Sequence, residues 1–182
     1  MSRPLERLRP DIRVLPLVLG LLDGITNALG LAAHSILGAG AGVSLGLALR
    51  VASFALVTAV FAIFVARYVD QRTGLLRASR QLNLLQRGAL ATTRLGRAAR
   101  RDALTDAAQA SLASYCGALV PLGIAVAFPA STWLSLIVAV GMLTLLGLIV
   151  GHRLGGRPGL WAVALAAAGI IVTAVGAVLN IA

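Results

Sequence analysis

Five stretches of this chain are long and apolar enough to cross a membrane as helices, at about 14–37, 47–69, 107–128, 133–151 and 160–181. Hydrocarbon offers no water to a bare N–H or C=O, so a spanning segment must satisfy its backbone within itself. About 20 residues of helix are enough to cross the roughly 30 Å apolar layer. The runs are continuous and lack the apolar–polar alternation of barrel strands. The expected fold is therefore all-α: a polytopic membrane protein of five transmembrane helices, with a basic cytoplasmic helical insert, residues 70–106, between the second and third. Composition agrees, with 59% hydrophobic residues and a mean hydropathy of +0.93.

The charge is one-sided. The net charge is +10, and the sixteen basic residues are all Arg. In a membrane protein such an excess marks cytoplasmic loops more often than nucleic-acid binding. With the N-terminus inside, residues 1–13, 70–106 and the loop at Arg153 and Arg157 all fall on the cytoplasmic side. The connections at 38–46 and 129–132 hold no Lys or Arg. Fifteen arginines then obey the positive-inside rule, Arg50 is the exception, and the C-terminus lies outside. Trp133 and Trp161 fall at opposite interfaces. A bacterial plasma membrane suits this plan. The first span is too long and polar for a cleaved signal segment.

That first span carries the most unusual residues. On an ideal helix Asp23, Asn27, Gly30 and His34 fall within a sector of about 60°. A carboxylate at mid-depth needs a partner, a cavity or a proton. Asp23, Asn27 and His34 are therefore the candidate metal ligands, with Gly20, Gly24, Thr26 and Gly30 as candidate pore-lining positions. Structural hydrogen bonding between helices is the plainer alternative. Arg50, about 25 Å along its helix from Arg67, is expected to snorkel to the nearer interface rather than pair with Asp23.

Between 70 and 106, Leu75, Ala78, Leu82, Leu85 and Ala89 recur at spacings of three and four, which predicts an amphipathic helix broken at Gly88 and Gly96. Arg72, Arg77, Arg80 and Arg87 are its candidate contacts to anionic membrane lipid. Stacking aromatics are absent from the segment, so no nucleic-acid partner is expected. Thr105 or Asp106 is expected to cap the third span, and Pro121 to kink it or unwind a turn. Cys116 reads as a small core residue. Gly169 and Gly176 offer a close-packing face. The chain holds no HExxH, GxSxG, CxxC or P-loop pattern, so no enzyme is expected, and no cofactor is called for. The competing class is a non-transporting scaffold whose Arg-rich helix binds anionic lipid or a partner protein.

Gly20-Leu21-Leu22-Asp23-Gly24-Ile25-Thr26-Asn27-Ala28-Leu29-Gly30-Leu31 resembles the first helix of the vacuolar iron transporter family, with its Gly-Leu-x-Asp-Gly-x-x-Thr/Asn-x-x-Gly-Leu pattern. Ala118-Leu119-Val120-Pro121-Leu122 is similar to that family's Leu-Pro-Leu in the third helix. The resemblance implies five helices, a homodimer, and a path for ferrous iron or manganese between two first helices, with Asp23 on it. Ile63 and Arg67 stand where the family has Met and Glu, and residues 71–101 hold eight Arg and no acidic residue.

Overall fold

The computed structural model describes residues 14–37, 43–81, 94–153 and 156–179. Among these the chain is all-helical: α1 (Val14–Leu37), α2 (Leu45–Gln81), α3 (Arg94–Ala127), α4 (Thr132–Arg153) and α5 (Pro158–Leu179). All five contain a stretch long and apolar enough to cross a membrane. Large apolar side chains such as Phe54, Phe61, Ile137 and Ile171 point outward. That surface suits lipid, not water. The protein is thus an integral membrane protein, with its polar hydroxyls tied inward: Thr26, Thr58, Thr144 and Thr173 each donate to a carbonyl one turn back in their own helix.

Chain direction alternates. α1, α3 and α5 run one way and α2 and α4 the other, since Gly24 meets Ser114, Gly30 meets Gly176, and Gly147 meets Trp161 and Ala162. α1 is the hub and touches every other helix, whereas α2 packs only on α1 and α3. The seams are built from small residues. Ala48 and Ala52 of α2 lie against Ala118, Leu122 and Ala125 of α3 and Ala28 of α1. Without a hydrophobic drive between helices in lipid, close backbone approach through such residues is what holds a bundle together. On the other side, Ile25, Leu29 and Ala32 pack with Leu136, Ala139 and Leu143 of α4. A Cβ on Gly169 would collide with Leu143 and lie 3.5 Å from Leu29, and one on Gly176 would lie 3.5 Å from Gly30 Cα, so both α5 glycines sit against neighbouring helices.

Several expectations need correction. α2 begins at Leu45, earlier than expected, because the Ser44 hydroxyl caps it by accepting from the Leu47 N–H at 3.2 Å. Residues 70–81 and 94–106 form no separate insert helix. They continue α2 and α3, which have 37 and 34 residues, or about 55 and 51 Å. The pair therefore outruns a 30 Å apolar layer by about 20 Å. Arginines on a helix face do not stop a helix, and Gly96 is carried inside α3. Gly88 lies outside the described residues. Thr105 and Asp106 are interior to α3 and are no cap: Thr105 donates to Arg101 O at 3.0 Å, and Asp106 pairs with Arg67 at 2.8 Å. Pro121 unwinds no turn. α3 runs through it, and its carbonyl accepts a buried 2.8 Å bond from the Ser135 hydroxyl of α4. Cys116 is exposed on the outer face of α3, not buried in the core.

Candidate functional site

The polar stripe of α1 does not form one site. Asp23 turns toward α3, where its Oδ2 accepts a 2.9 Å hydrogen bond from the Ser114 hydroxyl. Gly20 and Gly24 are buried on the same seam. A Cβ on Gly20 would collide with the Ala110 carbonyl, and one on Gly24 with the Ser114 carbonyl. These two glycines are therefore helix-packing positions in the chain, not pore-lining ones. Their spacing, four apart, is the small-xxx-small signature of close helix contact, a signal that a search for polar residues passes over.

Asn27 takes a different direction. It is exposed and lines a groove of about 630 Å³ with Thr26, Gly30 and Leu31 of α1. Arg50, Val51 and Phe54 of α2 form the second wall, and Val172, Val175 and Gly176 of α5 the third. The backbones of α2 and α5 make no close approach among the described residues, so the groove lies over α1 between them. A Cβ on Gly30 would meet nothing within 4 Å, so this glycine faces open space. Thr26 spends its hydroxyl on its own helix, donating to Leu22 O and Asp23 O at 2.9 Å. Thr26 and Gly30 are thus the two expected lining positions that do face a cavity.

The split lies in the neighbours, not in the helix itself. α3 follows Gly20, Gly24 and Ala28 along α1. Beside Asp23 the neighbour is Ser114 of α3, whereas Asn27 faces the groove walled by α2 and α5. A 60° sector on one helix can therefore face two different neighbours.

Among the described residues, no three of His, Cys, Asp or Glu come together. Asp23 and Asn27 are not brought to a common point. His34 lies on α1, but its side chain lies outside the described residues. Arg50 does not pair with Asp23: the ion pair among the described residues is Arg67–Asp106. Neither Asn27 nor Arg50 makes a hydrogen bond or ion pair among the described residues.

At the other end, Arg72 and Arg77 are exposed on the α2 extension, as are Arg94, Arg97, Arg100 and Arg101 on α3. Arg72 lies over the Tyr68 ring at 6.0 Å and donates to its hydroxyl at 3.2 Å, while Tyr68 stacks on Phe64. Arg80 belongs to α2 with its side chain outside the described residues, and Arg87 lies outside them altogether.

No protein family, curated protein or solved structure matches the chain. The likeness to vacuolar iron transporters rests on the residues quoted for it.

Proposed function

We propose that the protein is a membrane carrier, not an enzyme, and that it takes a small solute into the groove over α1. One observation carries this reading. Two polar side chains, Asn27 and Arg50, stand without partners among the described residues on the wall of a cavity within the membrane-spanning helices. Polar and ionisable side chains facing a cavity between membrane helices mark ligand paths by default. The packing supports a moving part. α1 and α3 meet backbone to backbone at Gly20, Gly24 and Gly117. α4 and α5 pair tightly with each other through Gly147 and Gly151. Rocking the α4–α5 pair against the α1–α2–α3 unit would widen or close the groove, the usual form of alternating access. The arginine distribution supports an inside N-terminus and an outside C-terminus, in a bacterial plasma membrane.

The test is thiol accessibility. Asn27→Cys in a Cys116→Ala background is treated with a membrane-impermeant maleimide from either face of sealed vesicles. A carrier is labelled from both faces. A cysteine that reacts from neither face, and only with a membrane-permeant reagent, ends this reading.

A second reading has its own support. Asp23 Oδ2 and the Ser114 hydroxyl place two hard oxygens together inside the bundle, the donor type that divalent iron or manganese accepts. A homodimer joined through its first helices has two faces to use, the groove and the exposed Leu15, Leu17 and Leu19. Iron(II) or manganese(II) uptake by proteoliposomes, compared with Asp23→Asn, decides it. Equal uptake removes Asp23 from any metal path.

A further inference from the structure

We infer that the groove binds one anionic phospholipid, with its phosphate on Arg50 and Asn27 and an acyl chain along Val51, Phe54 and Val172. This rests on reading the groove as a ligand site and names its ligand class. The argument begins with charge. The chain has six acidic residues. Glu6 and Asp11 precede α1, and Asp70, Asp102 and Asp106 belong to the helical extensions at the opposite end from Arg50. The sixth, Asp23, is engaged by Ser114 across the α1–α3 seam. Among the described residues no carboxylate is placed to neutralise Arg50. A second copy seated on the groove would bring another Arg50, not an anion. An anion from outside the described residues therefore supplies the counter-charge in this reading.

The shape indicates where from. The groove lies between α2 and α5, whose backbones make no close approach among the described residues, so its long side opens toward lipid. Arg50 is five residues past the first residue of α2, about 7.5 Å along the axis. That depth suits a phosphate at or just below the interface, with its chains running deeper. Guanidinium is the donor best matched to a phosphate, which it can hold through two parallel N–H bonds. The Asn27 amide adds a donor, and the remaining walls are largely apolar.

The experiment is native mass spectrometry of the full-length protein in mixed micelles containing equal palmitoyl-oleoyl phosphatidylglycerol and phosphatidylcholine. One phosphatidylglycerol per chain should survive activation that strips phosphatidylcholine. Arg50→Gln should lower that preference about tenfold, the loss of one charge-assisted contact. Gly30→Leu, whose side chain would enter the open space of the groove, should abolish retention while the protein stays folded. Arg97→Gln with Arg100→Gln, exposed on the α3 extension at the other end, should leave it unchanged. Three results overturn the assignment: an unchanged preference in Arg50→Gln; competition by glycerol phosphate at equal concentration, which would make the ligand a water-soluble anion; or a lipid-free dimer lost in Gly30→Leu, which would make the occupant a second copy. An Asn27→Cys that labels from both faces, in a protein with no lipid preference, also overturns it while leaving the carrier standing.

Discussion

Gly24→Ala should loosen the bundle at its tightest seam, whereas Gly30→Ala, six residues further along the same helix, should not. At Gly24 an added Cβ would sit 2.7 Å from the Ser114 carbonyl carbon and 2.9 Å from the Ala118 nitrogen. Ordinary contact between such atoms begins near 3.4 Å, so the seam is short by about 0.7 Å at the carbonyl carbon and by more at its oxygen. Both obstacles are backbone. No rotamer change relieves them, and α1 must move from α3 as a body. Overpacking of this kind costs about 1–3 kcal/mol, and the rigidity of the obstacle puts this case near the upper end. Replacing a helical Gly by Ala returns about 1 kcal/mol. The net loss is about 2 kcal/mol, or about thirtyfold in the unfolding equilibrium. The displacement should also stretch the 2.9 Å Ser114–Asp23 bond. At Gly30 the same Cβ meets nothing within 4 Å, so only the propensity gain of up to about 1 kcal/mol remains. Unfolding by SDS titration in mixed micelles, followed by circular dichroism, measures both variants. Equal stabilities, or Gly30→Ala as the weaker protein, would refute the α1–α3 seam.

Ser114→Ala leaves the Asp23 carboxylate without its hydroxyl partner and should destabilise by about 0.6–1.7 kcal/mol, the range of interhelical bonds in membranes, by the same titration. Arg67→Ala strands Asp106 at a contact where both side chains are 15% exposed. It should cost about 1–3 kcal/mol, and the double variant with Asp106→Ala should recover part of that loss in a double-mutant cycle. Gly147→Ala would press into the Trp161 carbonyl oxygen at 2.6 Å and Ala162 Cα at 2.7 Å, parting α4 from α5 at a cost of about 1–3 kcal/mol. Cys116, exposed on the membrane-spanning part of α3, should react with a membrane-permeant maleimide and stay untouched by an impermeant one.

The five spans are legible in the sequence because hydrocarbon imposes one demand on every residue of a run, and that demand leaves a mark about twenty residues long. The far ends of α2 and α3 are not marked in that way. Outside the apolar layer a helix is neither required nor forbidden, and the arginines from 72 to 101 read equally well as a detached amphipathic helix or as an extension. What decides between them is contact across the pair, the Arg67–Asp106 bridge and the buried Ala103, and contact between segments 39 residues apart leaves no local pattern.

The stripe on α1 shows the same limit more sharply. Helical periodicity correctly puts Asp23, Asn27 and Gly30 on one side of the helix, but a face has no identity until something is packed on it. The glycines decide that. Gly20 and Gly24 let α3 approach on the side of Asp23 until backbone meets backbone, while α2 and α5 wall the groove on the side of Asn27. Asp23 ends beside Ser114 and Asn27 ends in the groove with Arg50. The residue whose charge first draws notice is thus the one already satisfied within the chain. The neutral amide and the out-of-place arginine are the groups still in need of a partner.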